Sequence, residues 1–272
     1  MDARVQRRVQ RYGWDLAAST YEPLWQAQLA PAHDALLSMA HLREGETVLD
    51  VACGTGLVSF KAARHVGASG RVTGVDISGD MVAMAQSIAL EQGVGNISFL
   101  RADAENLDIG KTGFDVVLCA LGLMYVPDPA QALREMRRLL NPGGRIVIAV
   151  WGERASCGWA SVFPIVNDEV SSDVCPMFFQ MGQGDTLARL ATGLRFGHVA
   201  LQRISTCLDY ANADEACQAA FVGGPAALAW SRFSDAVRVR VCERYVEAIE
   251  TFRRGDGYKV PGEFVIVAGV AA

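Results

Sequence analysis

Strand and helix patterns alternate regularly between Thr47 and Trp151, and this alternation constrains the fold more than any other feature of the chain. Strands that alternate with helices are joined by right-handed crossovers, which bring the strands parallel in one sheet. A largely apolar run such as Phe114–Leu121, in which Asp115 is the one charged residue, is typical of a strand buried on both faces. The predicted strands are Thr47–Ala52, Arg71–Asp76, Asn96–Leu100, Phe114–Leu121 and Arg145–Trp151.

The pattern changes after the fifth strand. Gly152–Leu194 is rich in Trp, Phe and Met, Val199–Tyr210 is a sixth strand, and Ala213–Arg254 predicts helices broken at Gly223-Gly-Pro225. The chain ends with an isolated apolar strand, Phe264–Val270, which can insert antiparallel to the others. We therefore predict an α/β fold with a Rossmann-like, doubly wound sheet of seven strands, mostly parallel, with the last strand antiparallel.

Helices are expected to flank this sheet. The segment up to about Ala40 predicts two N-terminal helices, because Pro23 and Pro31 interrupt its helical pattern. We expect residues 1–44 to form a helical lid and residues 45–151 the cofactor-binding core. Residues 152–196 would form a helical lid insertion that also builds an acceptor pocket. Residues 197–272 would complete the core with a helical segment and the final strand.

Charge and apolar-run length argue against several classes of protein. The net charge is -5, whereas a nucleic-acid groove needs a basic face, so no nucleic-acid partner is expected. The longest apolar runs, such as Val116–Met124, fall short of the ~20 residues that span a bilayer. No apolar signal core follows the first residues, so we expect no membrane span and a cytoplasmic location. The seven cysteines lack metal-ligand spacing, and no metal is expected.

A ligand-binding loop is predicted where a buried strand is followed by glycines and then by a helix. The segment reads Val48-Leu-Asp50-Val-Ala52-Cys-Gly54-Thr-Gly56, and its glycines let the backbone turn tightly and approach a ligand. Twenty residues after Gly56, the second strand ends at Asp76, whose carboxylate can accept both hydroxyls of a ribose. Together they place an adenosine across the carboxyl ends of the first two strands.

A dinucleotide-binding fold is the nearest alternative. It requires a third glycine for close packing of helix on strand, and Ser59 stands there instead. Asp50 fits poorly beside a pyrophosphate but well beside a ligand with a sulfonium and an ammonium group, because opposite charges attract. The loop therefore favours a cationic ligand over a diphosphate.

At this point the chain resembles the class I S-adenosylmethionine-dependent methyltransferases over about Val48–Trp151. The glycine loop resembles their motif I, in the variant with alanine in place of the first glycine. Val72-Thr-Gly-Val-Asp76-Ile-Ser78 resembles the ribose-binding motif, and Leu100-Arg-Ala-Asp103-Ala104-Glu105 the adenine motif. Segments Phe114–Ala120 and Leu139–Gly144 resemble the motifs of the fourth and fifth strands. The nearest branch is the ubiquinone/menaquinone biosynthesis methyltransferase-like group (methyltransferase type 11).

The resemblance implies S-adenosylmethionine as cofactor and S-adenosylhomocysteine as product. Motif I would line the methionine end, the ribose and adenine motifs would hold the nucleoside, and Tyr21 would reach the methionine carboxylate. The family more often has glycine at the position of Ala52, and the alanine side chain would slightly narrow the space through which the cofactor approaches the loop. The implied cofactor residues are Tyr21, Asp50, Ala52, Cys53, Gly54, Gly56, Asp76, Ile77, Met81, Asp103, Ala104, Cys119 and Leu121.

The region between the fifth and sixth strands is expected to build the acceptor pocket. Its aromatic residues could instead form only a satellite core under a long insertion. No paired carboxylates or His–Asp signature identifies a catalytic base; His33 and Tyr21 are the side chains closest to qualifying. The residues expected to wall the acceptor pocket are Trp159, Phe163, Phe178 and Phe179.

These features predict an SN2 transfer of a methyl group to an oxygen or carbon nucleophile of a small, largely apolar acceptor, aromatic, quinol or isoprenoid in character. The protein is expected to be a monomer or a homodimer. Three alternatives stay open: a nicotinamide-dependent oxidoreductase, a non-enzymatic adenosylmethionine-binding regulator, and an arsenite or thiol methyltransferase that uses cysteines such as Cys157 and Cys175.

Overall fold

The computed structural model of the chain describes residues 2–170, 175 and 177–271. One twisted sheet organises these residues, and helices lie on both of its faces. The strands are β1 (Thr47–Val51), β2 (Arg71–Asp76), β3 (Ile97–Arg101), β4 (Phe114–Ala120), β5 (Leu140–Trp151), β6 (Phe196–Tyr210), β7 (Arg253–Arg254) and β8 (Gly257–Ala271).

The sheet has the order β3-β2-β1-β4-β5-β8-β6, and the two-residue strand β7 pairs with β8 beside this path. Strands β1 to β5 run parallel to one another, whereas β8 runs antiparallel to both β5 and β6, between which it lies. The Rossmann-like sheet and its antiparallel last strand, both predicted from the sequence, are confirmed. The short strand β7 is an addition to the seven strands expected.

Helices connect the parallel strands and cover the sheet. In the fourth helix the buried residues Ala132, Leu133, Met136 and Leu139 recur at helical spacing, so one face turns to the sheet. The helices are α1 (Ala3–Ala40), α2 (Leu57–Val66), α3 (Gly79–Glu91), α4 (Pro129–Leu139), α5 (Val162–Val170), α6 (Thr186–Gly193), α7 (Ala213–Phe221), α8 (Ala227–Trp230) and α9 (Asp235–Ile249).

The N-terminal segment forms one helix of 38 residues, so the prediction of two helices there is wrong. Pro23 and Pro31 lie inside α1. An interior proline removes a backbone hydrogen bond and costs ~3 kcal/mol or more in an isolated helix. Here Trp25, Leu29 and Leu36 bury a continuous face of the helix in the main core, and this burial offsets the cost.

Strand β5 begins at Leu140, earlier than the predicted Arg145, because Leu140 pairs with Phe114 across a register shift in β4. The predicted Asn141-Pro-Gly-Gly turn lies within this irregular start, where Gly143 has a φ of 76°. Strands β6 and β8 pair over most of their 15 residues and extend beyond the predicted bounds. Within the described ranges, no helix has the length and apolar character needed to cross a membrane.

The strand order fixes where a ligand can bind. Strand β1 has β2 on one side and β4 on the other, so the crossovers leave it in opposite directions. In open α/β sheets a crevice forms at such a switch point, outside the carboxyl ends of the strands. Val51, Asp76 and Ala120, at the ends of β1, β2 and β4, line a cavity at this position.

Candidate functional site

The loop between β1 and α2 makes a sharp turn through left-handed backbone conformations. The φ angles are 57° at Ala52, 56° at Gly54 and 95° at Gly56. The N–H of Cys53 donates to the carbonyl of Val75 at 3.0 Å, which holds the loop against β2. A Cβ at Gly56 would lie 2.8 Å from the Phe60 ring, so the turn has no room for a side chain there. The loop is therefore rigid and brings bare backbone to the end of β1.

Asp76 ties this loop to the end of β2. Its Oδ2 accepts a hydrogen bond from the Gly54 N–H at 2.9 Å, and its Oδ1 accepts one from the Ser78 N–H at 2.9 Å. Burial raises the pKa of the Asp76 carboxyl, although these backbone hydrogen bonds oppose the shift. Each oxygen of the ionised carboxylate keeps a further lone pair, so the side chain can still accept two hydroxyls of a ligand.

Asp50 lies behind the loop, only 1 % exposed. Its Oδ2 accepts a hydrogen bond from the Ser59 hydroxyl at 2.5 Å, while its Oδ1 finds no donor among the described residues. Burial, with a smaller contribution from the charge of Asp76, raises the pKa of the Asp50 carboxyl to about 7. A buried carboxylate with an unused oxygen favours a nearby cation, because only the ionised form gains from it.

A cavity opens in front of the loop, and we name it the strand-end cavity. It holds about 760 Å³ of empty space, part of it open to solvent. Its lining combines nine of the residues predicted to hold a cofactor with residues of α1 and of the segment after β4. The nine predicted residues are Tyr21, Ala52, Gly54, Asp76, Ile77, Met81, Asp103, Ala104 and Leu121.

The other four predicted cofactor residues do not line this cavity. Asp50 and Cys119 lie on β1 and β4 behind it, and burial raises the pKa of the Cys119 thiol to about 12. Cys53 packs with Phe60 and Phe99 in a small separate cluster, and Gly56 forms the turn that begins α2. These residues shape the cavity wall from behind rather than presenting atoms to a ligand.

The adenine-motif residue Asp103 has a partner that the sequence did not suggest. Its Oδ1 accepts the Glu105 N–H at 2.9 Å, and its Oδ2 lies 3.3 Å from the Nε of Arg7. Arg7, from the first turns of α1, also donates to Glu105 and lines the cavity. No motif marks Arg7, because α1 reaches this edge only through the tertiary fold.

A second cavity adjoins the first, and we name it the aromatic cavity. It holds about 450 Å³ of empty space, and its walls come from α1, the end of β5, the insertion and the turn after α7. The two cavities share Trp14, Tyr21, Leu121 and Tyr125. The lining residues are Trp14, Tyr21, Trp25, Leu29, Leu121, Met124, Tyr125, Trp151, Trp159, Val162, Phe178, Ala220, Gly224 and Pro225.

The predicted acceptor-pocket residues separate into two layers. Trp159 and Phe178 line the aromatic cavity, with ring centroids 5.5 Å apart. Phe163 and Phe179 lie behind them, 4.7 and 4.8 Å from the Phe178 ring. Trp25, on α1, also lines the cavity and was not predicted, because its spacing in α1 is that of an ordinary core residue.

The two side chains considered as catalytic bases lie in different places. His33 is 4 % exposed and lines neither cavity, and burial lowers its pKa to about 4. Tyr21 lines both cavities, and burial together with the nearby Asp76 raises the pKa of its hydroxyl. The structure thus brings Tyr21, but not His33, to the site.

The cysteines do not assemble into a ligand cluster. Within residues 2–170, 175 and 177–271, no group of three or more His, Cys, Asp or Glu side chains is arranged to hold a metal ion. Cys175 accepts a hydrogen bond from Gln10 at 3.1 Å, and burial raises the pKa of Cys157 to about 11 and of Cys175 to about 12. Neither thiol is poised as a nucleophile, because only the thiolate reacts readily.

Comparison with known proteins gives a consistent result. A family model described as a methyltransferase domain matches residues 42–171. The chain is 32 % identical over 190 residues to the ubiquinone/menaquinone biosynthesis C-methyltransferase UbiE of Idiomarina loihiensis, covering 69 % of this chain and 74 % of that protein. It is 36 % identical over 133 residues to the aklanonic acid methyltransferase DauC of Streptomyces sp. strain C5, covering 49 % of this chain and 60 % of that protein.

Other matches are shorter or concern the fold alone. In several further curated relatives the matched region spans about half of the relative's length, between 43 % and 57 %. The crystal structure of the YcgJ protein from Bacillus subtilis superposes with a TM-score of 0.63 at 18 % identity, over 89 % of this chain and 98 % of that one. The fold is therefore shared over nearly the whole chain.

Proposed function

We propose that this chain, which belongs to the class I S-adenosylmethionine-dependent methyltransferases, methylates an oxygen or carbon nucleophile of a small, largely apolar acceptor. Its cofactor is S-adenosylmethionine, and the product is S-adenosylhomocysteine. The observation that carries the proposal is the junction of the two cavities, where Tyr21, Leu121 and Tyr125 belong to both walls. A donor in the strand-end cavity and an acceptor in the aromatic cavity would meet there.

The residues of the strand-end cavity fit the cofactor. The free lone pairs of Asp76 suit the two ribose hydroxyls, and Asp103 with the Ala104 backbone suits the adenine edge. Asp50 lies behind the loop without touching the cavity, and the negative charge of its ionised carboxylate would favour the positive charge of the methionine end through the loop. We assign the ribose to Asp76, the adenine to Asp103, Ala104, Ile77 and Met81, and the methionine end to Ala52, Gly54 and Tyr21.

The character of the aromatic cavity supports an apolar acceptor. None of its described lining residues is Asp, Glu, Lys or Arg, so a charged acceptor would find no partner there. The relatives point in the same direction, since one is named for ubiquinone/menaquinone biosynthesis and another for aklanonic acid. We propose an aromatic, quinol or isoprenoid-like small molecule.

Positioning is the main task of the protein in this reaction. The bound cofactor supplies an electrophilic methyl group on a sulfonium, and its leaving group is a neutral thioether. The protein has to align the two partners at ~3 Å and keep water out. The aromatic side chains shared by the cavities serve both needs, because they are bulky, rigid and apolar.

The ionisable side chains that border both cavities are not suited to act as general bases. Tyr21 and Tyr125 are the ionisable side chains shared by both cavities, and burial raises the pKa of both hydroxyls above that of an ordinary tyrosine. Both therefore stay protonated at neutral pH and can donate a hydrogen bond but not act as bases. An acceptor that is already acidic, such as a phenol or an activated carbon between carbonyl groups, suits such a site.

The first test measures thermal unfolding with S-adenosylmethionine, S-adenosylhomocysteine and NAD(H), each in large excess. A ligand at ~100 times its Kd adds ~2.7 kcal/mol of stability, which is a clear shift. We expect stabilisation by the first two ligands and none by NAD(H). Turnover is then followed as S-adenosylhomocysteine release with a panel of phenols, quinols and 1,3-diketones. Stabilisation by NAD(H) alone would refute the proposal.

A further inference from the structure

Two indole N–H groups in the wall of the aromatic cavity have no acceptor among the described residues. They belong to Trp25, on α1, and to Trp159, in the short turn after β5. Both side chains are deeply buried, Trp25 being 6 % and Trp159 4 % exposed. Buried donors are nearly always paired, so a pair of unpaired ones in one cavity wall requires an explanation.

The Trp25 N–H lies beside two glycines of the turn after α7. A Cβ built on Gly224, which lines the cavity, would lie 3.7 Å from the Nε1 of Trp25, and one built on Gly223 would lie 3.2 Å from it. Because both positions are glycine, no side chain of this turn covers the indole nitrogen. The Trp25 and Trp159 rings are 6.4 Å apart, and both residues line the aromatic cavity.

Ring packing holds both indoles in place. Trp159 contacts Trp151 at 4.7 Å, Phe178 at 5.5 Å and Phe179 at 5.7 Å between centroids, and Trp25 contacts Trp151 at 6.4 Å. A donor that is fixed before the ligand arrives loses little conformational entropy on binding. Packing alone does not account for two tryptophans here, because a phenylalanine would fill an apolar wall without burying a polar group.

We propose that Trp25 and Trp159 donate hydrogen bonds to oxygen atoms of the acceptor molecule, and that this acceptor is therefore a neutral, ring-containing ketone, quinone or phenol rather than a plain hydrocarbon chain. The inference rests on the proposed function, in which the aromatic cavity holds the acceptor. It adds that these two side chains determine specificity by selecting oxygen-bearing rings. An isoprenoid tail without oxygen would leave both donors unpaired and is disfavoured for this position.

A matched pair of probes tests the donors directly. The ligands 1-tetralone and tetralin share one ring skeleton, and only the first carries a carbonyl oxygen. Their affinities are measured by calorimetry on the whole protein, saturated with S-adenosylhomocysteine and, separately, without it. We expect 1-tetralone to bind at least ~10-fold more tightly than tetralin, because leaving a buried donor unpaired is more costly than the mean worth of a hydrogen bond.

Variants then test whether the two tryptophans cause the preference for 1-tetralone over tetralin. In Trp25→Phe/Trp159→Phe the preference for 1-tetralone should fall to ~2-fold or less, and each single variant should lose part of it. Trp230→Phe is the control, since Trp230 stacks on Phe221 at 5.4 Å and lines neither cavity. It should keep the wild-type preference. Unchanged affinity for S-adenosylhomocysteine reports that each variant is folded.

The outcomes separate this inference from the proposed function. Equal affinity for the two probes, no binding of 1-tetralone, or a preference that survives in the double variant overturns the role of the indoles. Failure of the wild-type protein to bind S-adenosylhomocysteine counts against the proposed function instead, and the comparison of probes without that ligand still decides the role of the two tryptophans.

Discussion

The methyl group of Ala52 fills the space that a side chain at Gly122 would need: a Cβ built on Gly122 would lie 2.2 Å from the Cβ of Ala52. Ala52 follows β1 and Gly122 follows β4, so this contact joins the two loops at the switch point of the sheet. Ala52 also has a left-handed φ of 57°, a conformation that glycine adopts more easily. The alanine that departs from the usual motif is thus accommodated by a glycine 70 residues later.

The first prediction concerns this contact. Gly122→Ala should destabilise the protein by ~1–3 kcal/mol, because two Cβ atoms cannot approach so closely and the loops must shift. Ala52→Gly/Gly122→Ala should recover most of the loss, since the added methyl group then makes only ordinary contacts, at 3.5 Å from the Cys119 Sγ and 3.7 Å from the Cα of residue 52. Denaturant unfolding measures both, with Gly95→Ala as control, because nothing lies within 4 Å of a Cβ at Gly95. Additive effects of the two substitutions would contradict the contact.

The second prediction concerns Asp76. Asp76→Ala should weaken S-adenosylmethionine binding by ~5- to 100-fold, as expected for the loss of two hydrogen bonds to ribose hydroxyls and of the support given to Gly54. Calorimetry measures the affinity, and Asp80→Ala, at an exposed position of α3, should bind normally. Unchanged affinity in Asp76→Ala would place the ribose elsewhere.

The third prediction is a pH dependence caused by Asp50. The pKa of this carboxyl is about 7 in the folded protein and ~3.9 in an unfolded chain. Between about pH 4 and pH 7 the folded state therefore binds more protons, and the stability contributed by the protonated group is lost as the pH rises. The melting temperature of the wild-type protein should therefore fall between pH 5 and pH 8. In Asp50→Asn this fall should be smaller by a few °C, since a loss of 1 kcal/mol of stability lowers the melting temperature by roughly 2–4 °C.

Thermal unfolding at both pH values tests this, with Asp80→Asn as the control. Part of the pH dependence should remain in Asp50→Asn, because the pKa of Asp76 is also raised by burial. The ligand provides a second readout. S-adenosylmethionine should bind the wild-type protein more tightly at pH 8 than at pH 5.5, since a cation prefers the ionised carboxylate. Parallel profiles for wild type and Asp50→Asn would show that Asp50 does not titrate in this range.

The fourth prediction concerns Tyr21, which lines both cavities. Tyr21→Phe removes only the hydroxyl and should weaken S-adenosylmethionine binding by ~3- to 10-fold while the melting temperature changes little. Because Tyr21 also lines the aromatic cavity, where we propose that the acceptor binds, kcat should fall together with the affinity. Tyr12→Phe, at an exposed tyrosine of the same helix, is the control. Wild-type binding and turnover in Tyr21→Phe would remove this hydroxyl from the site.

Local patterns were sufficient to predict the sheet. The five parallel strands are largely apolar segments that alternate with helices, and the glycine loop and Asp76 occur at fixed distances along the chain, so the strand-end cavity was foreseeable. By contrast, the continuation of helix α1 through Pro23 and Pro31 could not be predicted from local patterns. Burial of one face of this helix outweighs the local tendency of proline to end a helix. Strand bounds were also less accurate where β5 begins irregularly and where β6 pairs along β8.

The sequence by itself determined which residues form the glycine loop at the end of β1, because a tight turn, a buried strand and an acidic strand end are local requirements of backbone geometry and spacing. Only the tertiary structure decided which residues line the aromatic cavity. Trp25 comes from α1 and Trp159 from the turn after β5, 134 positions later, while Gly122 makes room for Ala52 across the switch point. Such neighbours are set by how helices and loops pack over the sheet, and no spacing along the chain encodes them.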